Sequence, residues 1–592
     1  MIPSKGWLCV DIETSGDPWT GKLLCVGVAD PFDPVLFAKA FAPPVPDYIL
    51  NALRDPDVGI IEHTLYDARW LRLHGYEVNG PIADTRVMAW NHNENQKLSL
   101  EALALRYLGL EMDKRITPSG KRFRCDDGTI VPLDEAPEDQ LHAYCEADVR
   151  ATCYLFEHLK GLQPEYYWES QLPLTSVLLD MECAGLPIDE KRAEELRWAY
   201  SKTRDTLSSG LTQDLPPNFN LNSDDQVAAY IYLPEFDLPG KVHKGEEPEG
   251  FKVEKEGRVY SHGSFPVKGL GLKPRVWTDS GSRPKVDEDT LAYYQDNEWV
   301  RTYSDYQKVN KILTTYLGSF PRFTHGGRMY GTFNQAGTVT GRLSSSEPNL
   351  QNLPRRGELG STIRELFRGN LIVADFSQLE PRLMAHWSED PALTEVYREG
   401  LDVYRRTASG VFKVEYEGVS AKQREICKTI VLAMGYGAKS RRLARELTLA
   451  GYPTNERDAS GYLTAMQDTY HRLFEWREEV IEDSKKSGFV TTLAGRTRKI
   501  GYDGEGAWKA ERQAVNSVIQ GSAADIVNET MLIVSKLLDI DILVQVHDEL
   551  VLEYHEPPNL LAIQEAGERG HGFELRVPLV FEPKIVESWG EK

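Results

Sequence analysis

Residues 544–552, VQVHDELVL, constrain the fold more than any other stretch of this chain. Two adjacent acids, Asp548 and Glu549, interrupt a run of apolar residues that favour a strand. Because neighbours on a strand point to opposite faces, both acids reach one cation only from the tip of a strand–turn–strand hairpin. An acidic turn between two strands is the plain alternative. Residues 371–374 form a second apolar strand that ends in Asp375, so the sequence predicts a metal site shared by two strand ends.

Length and cysteine usage set the class of protein. A chain of 592 residues is too long for one core, so three or four domains are predicted. The seven cysteines form no CxxC pair and are odd in number, which favours a reducing compartment and argues against a zinc ribbon or a disulfide framework. No apolar run reaches membrane-spanning length. We expect a soluble, unprocessed monomer in the cytoplasm of a bacterium or a phage-infected host, with no membrane contact.

Charge is distributed unevenly along the chain. The net charge of -22 argues against a generally basic surface that would coat nucleic acid. Residues 422–446, however, carry seven bases against two acids. A focused basic face on an acidic body is compatible with a phosphate site.

The amino-terminal part alternates short strands with helical patterns, which predicts an α/β fold. Asp11 and Glu13 stand two apart on a strand and therefore share a face. Tyr144 and Asp148 stand four apart on a helix and share a side of it, and Asp67 lies between these pairs. Surface solvation explains any one of these acids. The set as a whole predicts a metal centre.

The series DxE, then D, then YxxxD resembles the DEDDy class of 3′-5′ exonucleases. The resemblance implies that two divalent ions are held by Asp11, Glu13, Asp67 and Asp148, and that Tyr144 orients the attacking water. The family usually carries Asn four residues before the third acid, where this chain has His63. That departure concerns substrate placement and removes no metal ligand.

Residues 166–330 are mostly helical in pattern, apart from a Gly/Pro-rich, mixed-charge insertion at 234–284. Within it, FKVEKEGRVY predicts a hairpin. The insertion is either a plain surface feature or an element that docks a partner or grips DNA.

The loop TGRLSSSEPNLQNLP offers many small donors and one Arg, which suits a sugar-phosphate backbone. It resembles a signature of family A DNA polymerases that lies at the primer–template duplex. With this loop the resemblance extends over nearly all of the chain. It implies that DNA is contacted by Arg342, Asn349, Gln351, Asn352, Arg512, Asn516, Gln520 and His547, with the helix that carries Arg512 reaching the minor groove.

The same resemblance assigns the polymerase motifs. Asp375 and Asp548 would bind the metals, and Glu549 would be an accessory acid. Gln378 and Glu380 would lie at the incoming nucleotide, where Glu380 crowds a ribose 2′-hydroxyl.

Four residues, 424, 428, 432 and 436, advance by four and line one side of a helix. Two cations there suit a triphosphate, although a solvated basic face has the same pattern. The resemblance implies that Arg424 and the catalytic Lys428 contact the triphosphate, Leu432 the sugar and Tyr436 the templating base.

The expected architecture is α/β and α+β multidomain, with an RNase H-like exonuclease domain followed by a right-hand polymerase. The predicted boundaries are 1–165 exonuclease, 166–335 thumb with insertion 234–284, 336–395 palm (first part), 396–510 fingers and 511–592 palm (second part). The expected activity is template-directed DNA synthesis with 3′-5′ proofreading, in DNA replication. The cofactor is Mg²⁺, two ions per active site, with Mn²⁺ able to substitute.

The expected partners are primer–template DNA, dNTPs and a processivity or replisome factor bound through the thumb insertion. The chain begins at the exonuclease with no room for a 5′ nuclease domain, a layout that resembles phage replicative enzymes.

Two other classes remain as alternatives. Single-subunit RNA polymerases share a similar RxxxK…YG helix and palm aspartates but lack the exonuclease acids and the Glu that follows DxSQL, here Glu380. A non-catalytic DNA-binding or clamp-like descendant is expected to have lost some of the six metal-binding acids. All six are present.

Overall fold

The computed structural model describes residues 6–16, 18–32, 38–117, 120–216, 218–239, 253–255, 258–260, 264–278, 281–354, 357–435, 437–502 and 506–591. The chain forms two compact units. The first comprises Met1–Ile188, Phe323–Thr448 and Tyr452–Lys592, and the second Asp189–Arg322 with Leu449–Gly451. Among the described residues, no helix has both the length and the apolar character needed to cross a membrane.

The amino-terminal part of the first unit is built on a five-stranded sheet of order β3-β2-β1-β4-β5. Its strands are β1 Trp7–Thr14, β2 Leu23–Ala29, β3 Lys39–Phe41, β4 Gly59–Glu62 and β5 Ile82–Asp84. A hairpin follows, β6 Arg122–Arg124 with β7 Ile130–Pro132. The helices are α1 Asp47–Arg54, α2 Tyr66–Leu73, α3 Thr85–His92, α4 Leu100–Leu103, α5 Glu138–Lys160 and α6 Leu172–Ala184.

Strand β1 is buried on both faces, which explains its nearly continuous apolar character. Cys9 packs with Phe156 of α5 on one face, and Val10 packs with Trp70 of α2 on the other. The period of two along a strand produces this division. Helices therefore cover both faces of the sheet, as the α/β prediction required.

One disulfide differs from the sequence-based expectation. It joins Cys9 on β1 to Cys153 on α5, whose Cα atoms are 5.9 Å apart. The cysteine pattern argued against a disulfide framework. Because the two residues are 144 positions apart, only the packing of α5 on β1 brings them together. The other five cysteines are free thiols.

The second unit is mainly helical. The short strand β8 Leu186–Pro187 precedes it and belongs to the first unit. The elements of the second unit are α7 Glu190–Thr212, α8 Asp224–Tyr232, β9 Glu235–Pro239, β10 Val253–Lys255, β11 Arg258–Tyr260, β12 Ser264–Lys268, α9 Glu288–Leu291 and α10 Glu298–Lys311. β10 and β11 pair antiparallel, which confirms the hairpin predicted from FKVEKEGRVY. Much of the 234–284 insertion lies outside the described residues.

The rest of the first unit is organised around a four-stranded antiparallel sheet of order β20-β21-β17-β22. The strands of this part are β13 Thr324–His325, β14 Arg328–Met329, β15 Thr332–Asn334, β16 Ser344–Ser346, β17 Arg368–Phe376, β18 Phe489–Thr491, β19 Thr497–Lys499, β20 Ile540–Val546, β21 Glu549–Tyr554 and β22 Phe581–Ser588.

Two of the remaining helices precede β17 in the chain, most lie between β17 and β20, and one lies between β21 and β22. They are α11 Phe320–Phe323, α12 Gly357–Arg364, α13 Leu379–Ser388, α14 Pro391–Arg398, α15 Val403–Phe412, α16 Ala421–Gly435, α17 Ser440–Leu449, α18 Glu456–Thr469, α19 His471–Ser487, α20 Ala507–Val534 and α21 Leu560–Glu568. Strand β17 pairs with β21 on one side and with β22 on the other, and both of these strands come much later in the chain.

Candidate active sites

Three acids converge between β1 and α5. Ligand oxygens of Asp11, Glu13 and Asp148 all lie within 4.8 Å of one another. Gly27 pairs with Asp11 across the sheet, and a Cβ at Gly27 would lie 2.7 Å from Sγ of Cys145. Glycine at this position therefore allows α5 to approach the sheet closely enough to bring Asp148 to β1.

Burial and mutual repulsion make this cluster unfavourable in its fully ionised form. Desolvation raises the pKa of Asp11 well above its usual value, and the charges of Asp67 and Asp148 raise it further. Desolvation also raises the pKa of Asp67, with Glu62 and Glu13 adding to the effect. Asp148 reaches a pKa of about 7, mainly through burial. Oxygen ligands that repel one another at short range fit a divalent cation.

Tyr144 lies one turn before Asp148 on α5. Burial raises the pKa of the Tyr144 phenol, and the negative charge of Asp148 raises it further. The hydroxyl therefore stays protonated and bonds to Asp148, which opposes the effect of burial on the pKa of that carboxyl. The Tyr144 ring meets Phe123 edge-on, with centroids 6.1 Å apart. The structure thus holds a phenol donor beside the acids.

His63 is engaged in local hydrogen bonds. Its Nε2 lies 3.0 Å from the carbonyl oxygen of Leu98, and its Nδ1 lies 2.8 Å from Oγ1 of Thr85. Burial lowers the pKa of His63 to about 4, so the ring is neutral at pH 7. Because a carbonyl only accepts, Nε2 carries the proton and donates to Leu98. Nδ1 is then an acceptor beside the Thr85 hydroxyl, whose one proton is shared between Nδ1 and the carbonyl oxygen of Glu62 at 3.2 Å. Both ring nitrogens thus make hydrogen bonds within the protein, one to Thr85 at the start of α3 and one to Leu98 just before α4.

The second acidic site lies at the end of β17. The N–H of Phe376 donates to the carbonyl of Asp548 at 3.0 Å, which places the two predicted metal-binding aspartates, Asp375 and Asp548, on adjacent backbone segments. Asp548 lies in the turn between β20 and β21, next to His547, whose φ is 59°. The predicted hairpin with an acid at its tip is confirmed for Asp548.

Glu549 is the first residue of β21 and pairs in register with Asp375. Its side chain is buried, and Oε1 accepts from Nη1 of Arg364 at 3.1 Å and from Nε1 of Trp589 at 2.8 Å. The Arg364 guanidinium stacks over the Trp589 ring, 4.3 Å from its centroid. One oxygen of Glu549 therefore belongs to a buried ion pair, a feature that sequence reasoning missed.

A cleft of about 700 Å³ opens in front of Asp375 and Asp548. Leu432, on α16, is half-buried and lines this cleft rather than the hydrophobic core. Tyr436 lies outside the described residues. The other predicted residues that line the cleft are Arg342, Gln378, Glu380, Arg424, Lys428 and His547.

Asp402 is a residue of this site that the sequence did not reveal. Its Oδ1 caps α15 by accepting from the Arg405 N–H at 2.8 Å. Its Oδ2 accepts from Nη2 of Arg424 at 2.7 Å and from Nε2 of Gln378 at 3.2 Å. One carboxylate thus orients two cleft side chains. The Arg424 guanidinium also lies 5.4 Å from the centroid of the Tyr404 ring.

The predicted DNA contacts lie in several places. Arg342 forms an ion pair with Glu380 at the cleft. Asn349 uses its side chain to cap a short helix by accepting from the Asn352 N–H at 3.1 Å. Gln351 donates to the backbone and side-chain oxygens of Gln545.

Three further predicted contacts are half-buried along one side of α20, namely Arg512, Asn516 and Gln520. They share this side because they are four residues apart.

Comparisons with known proteins agree with this architecture. A model of "DNA polymerase family A" matches residues 266–591, more than half of the chain. A model of a "3'-5' exonuclease" matches residues 21–162.

Two relatives illustrate the range of similarity. DNA polymerase I, thermostable, of Thermus filiformis is 32% identical over 455 residues, covering 74% of this chain and 50% of that protein. DNA polymerase I of Borreliella burgdorferi is 27% identical over 620 residues, covering 99% of this chain and 62% of that protein. The chain thus spans about half the length of the Thermus relative and under two thirds of the Borreliella one.

A solved structure has the same fold. The POL domain of Pol1 from M. smegmatis, in complex with DNA primer-template and dNTP, has a TM-score of 0.78 at 22% identity, covering 98% of this chain and 96% of that one. The matches place a 3′-5′ exonuclease domain before a polymerase domain. This chain belongs to DNA polymerase family A.

Proposed function

We propose that this chain extends a DNA primer on a template and excises 3′ ends at a second, separate site, in the replication of a bacterial or phage genome. The observation that carries the proposal is a single cleft lined by the acids Asp375 and Asp548 and by the bases Arg424 and Lys428. Carboxylates and cations in one cleft match the two needs of nucleotidyl transfer, namely metal ligation and neutralisation of a triphosphate.

Mg²⁺ fits both sites by the chemistry of their donors, which are carboxylate oxygens. Asp375 and Asp548 would hold two ions, and the same role falls to the amino-terminal acids Asp11, Glu13, Asp67 and Asp148. Bound Mg²⁺ activates the attacking oxygen and stabilises charge on the transferring phosphoryl group.

The side chains of the cleft bind and orient the nucleotide. Arg424, held by Asp402, and Lys428 offset the negative charge of the triphosphate as pyrophosphate leaves. Leu432 lies beside the sugar. Glu380 closes the space that a 2′-hydroxyl would need, and Arg342 orients the carboxylate of Glu380.

The exonuclease site orients water against a 3′-terminal phosphodiester. The Tyr144 hydroxyl keeps its proton and donates to the water oxygen or to Asp148, which fixes the direction of attack. Because His63 is committed to Leu98 and Thr85, it contributes no donor to the substrate.

The domain roles follow the predicted boundaries. The thumb (166–335) includes the second compact unit, Asp189–Arg322. The palm (336–395 and 511–592) carries the four-stranded sheet, and the fingers (396–510) carry α16. A processivity partner would bind the 234–284 insertion.

One gel tests both activities. A labelled primer with a matched or a mismatched 3′ end is incubated with template, dNTPs and Mg²⁺. Extension of the matched primer together with excision before extension of the mismatched primer supports the proposal. A folded protein that extends neither primer would contradict it.

A further inference from the structure

Two arginines from different helices converge on Gly437, just beyond the end of α16. Arg477 lies on α19 and Arg512 on α20. Gly437 has φ +67°, and a Cβ there would lie 2.5 Å from Nη2 of Arg477 and 3.8 Å from Cγ of Arg512. Glycine therefore leaves room beside the backbone for the Arg477 guanidinium and for the aliphatic part of the Arg512 side chain.

Neither guanidinium forms an ion pair with an acid among the residues that the structure describes. Burial lowers the pKa of Arg477, and the charge of the neighbouring Glu478 offsets only part of that effect. Nε of Arg477 and Nε of Arg512 are both buried without a hydrogen-bond acceptor. Each guanidinium instead lies over an aromatic ring of its own helix, 5.6 Å from the Phe474 centroid and 5.7 Å from the Trp508 centroid.

Arg472, on the same helix as Arg477, shows the ordinary arrangement, because it pairs with both carboxylate oxygens of Glu479 at 2.8 and 2.9 Å. A partly buried guanidinium without a counter-ion is costly. The arrangement at Gly437 therefore favours an anion.

A bound dNTP does not supply that anion. Lys428 precedes Gly437 by nine residues, which is about 13 Å along a helix at 1.5 Å per residue. Neither Arg477 nor Arg512 lines the cleft that holds Asp375 and Asp548. Arg512 instead belongs to the row at 508, 512, 516 and 520 along one side of α20, which starts with Trp508, 61% exposed. Exposed aromatic rings and arginines on one helix side are typical of nucleic-acid contact.

We propose that Arg477 and Arg512 form a binding site for one phosphodiester of a DNA strand at Gly437. The site rests on the proposed DNA polymerase function but assigns Arg477, which no motif of the sequence includes. Two guanidiniums from different helices clamp the phosphate, and Gly437 lets the backbone of the strand approach.

The test is the salt dependence of DNA affinity. Binding of a labelled primer–template is measured by fluorescence anisotropy across a range of KCl concentrations in EDTA, for wild type, Arg477→Gln, Arg477→Lys and the matched control Arg472→Gln. Each lost phosphate contact lowers the slope of log K against log [salt] by about 0.7 to 0.9, and affinity near 0.1 M salt by roughly fivefold to tenfold. We expect that loss in Arg477→Gln alone, because lysine keeps the charge and Arg472 is already paired.

Thermal melting and nucleotide binding separate the alternatives. Arg477→Gln removes an uncompensated charge, so its melting temperature is expected to equal or exceed that of the wild type. An unchanged salt slope, a variant that fails to fold, or a loss confined to dNTP affinity measured by calorimetry would each overturn the site. Wild type that binds no DNA would instead contradict the proposed function itself.

Discussion

At the scale of single residues, Leu432 should govern discrimination against chain terminators. It lines the cleft and has no polar atom. A dideoxynucleotide bound beside it leaves a polar group unpaired, a penalty of about 1 to 3 kcal/mol. This corresponds to roughly fivefold to more than a hundredfold in rate. We expect Leu432→Tyr to lower the ratio of dNTP to dideoxynucleotide incorporation by at least about tenfold. The tyrosine hydroxyl can bond the polar group that the missing 3′-hydroxyl leaves unpaired.

The measurement is single-nucleotide incorporation of each nucleotide type by exonuclease-deficient protein. Leu432→Met is a suitable control, since it keeps an apolar side chain of similar volume. An unchanged ratio in a well-folded tyrosine variant would place the nucleotide sugar elsewhere.

Asp402 should act on nucleotide binding through Arg424. In Asp402→Asn the amide still caps α15, but its NH₂ group faces the donors of Arg424 and Gln378. Loss of charge-assisted bonds that position Arg424, worth about 1.5 to 3 kcal/mol, should raise KM for dNTPs by roughly tenfold or more, with a smaller change in kcat.

Steady-state kinetics of primer extension measure this effect. Asp189 caps α7 with the same geometry, so Asp189→Asn is the matched control and should leave KM unchanged. In an Arg424→Ala background the Asp402 substitution should add little. Equal, additive effects in both backgrounds would mean that Asp402 acts only on stability.

At the scale of elements, we expect the acids that β1 and α5 bring together to bind metal in a pH-dependent way. Asp148 has a folded pKa of about 7, above the unfolded value of about 3.9. The folded state therefore binds the proton more tightly, and the metal-free protein should lose stability as pH rises from about 4 to 7. Mg²⁺ competes with that proton, so its stabilising effect should be larger at pH 8 than at pH 5.

Differential scanning calorimetry with and without Mg²⁺ at both pH values tests this. The Asp375→Ala background confines the metal effect to the amino-terminal acids. Asp148→Asn should reduce its pH dependence, and the remainder comes from Asp11 and Asp67, whose pKa values are also raised. A Mg²⁺ effect that is the same at pH 5 and pH 8 would contradict the predicted linkage.

The pairing of β9 with β12 makes it possible to delete most of the 234–284 insertion without disturbing its flanking strands. Pro239 pairs with Ser264, so replacing residues 240–263 by a Gly-Ser turn keeps both strands. If the insertion binds a partner or DNA, products made per binding event should shorten while single-nucleotide insertion remains nearly unchanged. Product length is measured with a heparin trap, with and without host extract. Unchanged lengths under both conditions would favour a plain surface insertion.

The sequence predicted correctly those features of the fold that follow from a local residue pattern. Alternation and acid placement predicted a strand that ends in Asp375, one residue short of the end of β17 at Phe376, and a turn between β20 and β21 that carries Asp548. The pairing of Asp402 with Arg424, and of Glu549 with Arg364, joins residues distant in the chain. Such pairs depend on how helices pack around the sheet, and no local period encodes them. The Cys9–Cys153 bridge was missed for the same reason.

At the scale of the whole molecule, the two acidic sites should be separable. They are built on different sheets, so Asp375→Ala or Asp548→Ala should abolish extension and leave degradation of single-stranded 3′ ends intact. The double substitution Asp11→Ala with Glu13→Ala should abolish degradation of single-stranded 3′ ends and leave primer extension intact. Both assays use the same labelled oligonucleotide. Loss of both activities in any one folded variant would contradict two independent sites.

The position of β17 between β21 and β22 also governs the order in which the molecule matures on the ribosome. The amino-terminal sheet is complete in sequence by Asp84, whereas β17 acquires its second neighbour only when Phe581–Ser588 has been synthesised. At typical synthesis rates of about 5 to 20 residues per second, some 200 residues take roughly 10 to 40 seconds. During that interval at least one edge of the apolar strand β17 is unpaired, and such an edge favours aggregation. A chain released early would carry the nuclease acids without the polymerase sheet. On the proposed function, we expect such a product to degrade 3′ ends without being able to extend them.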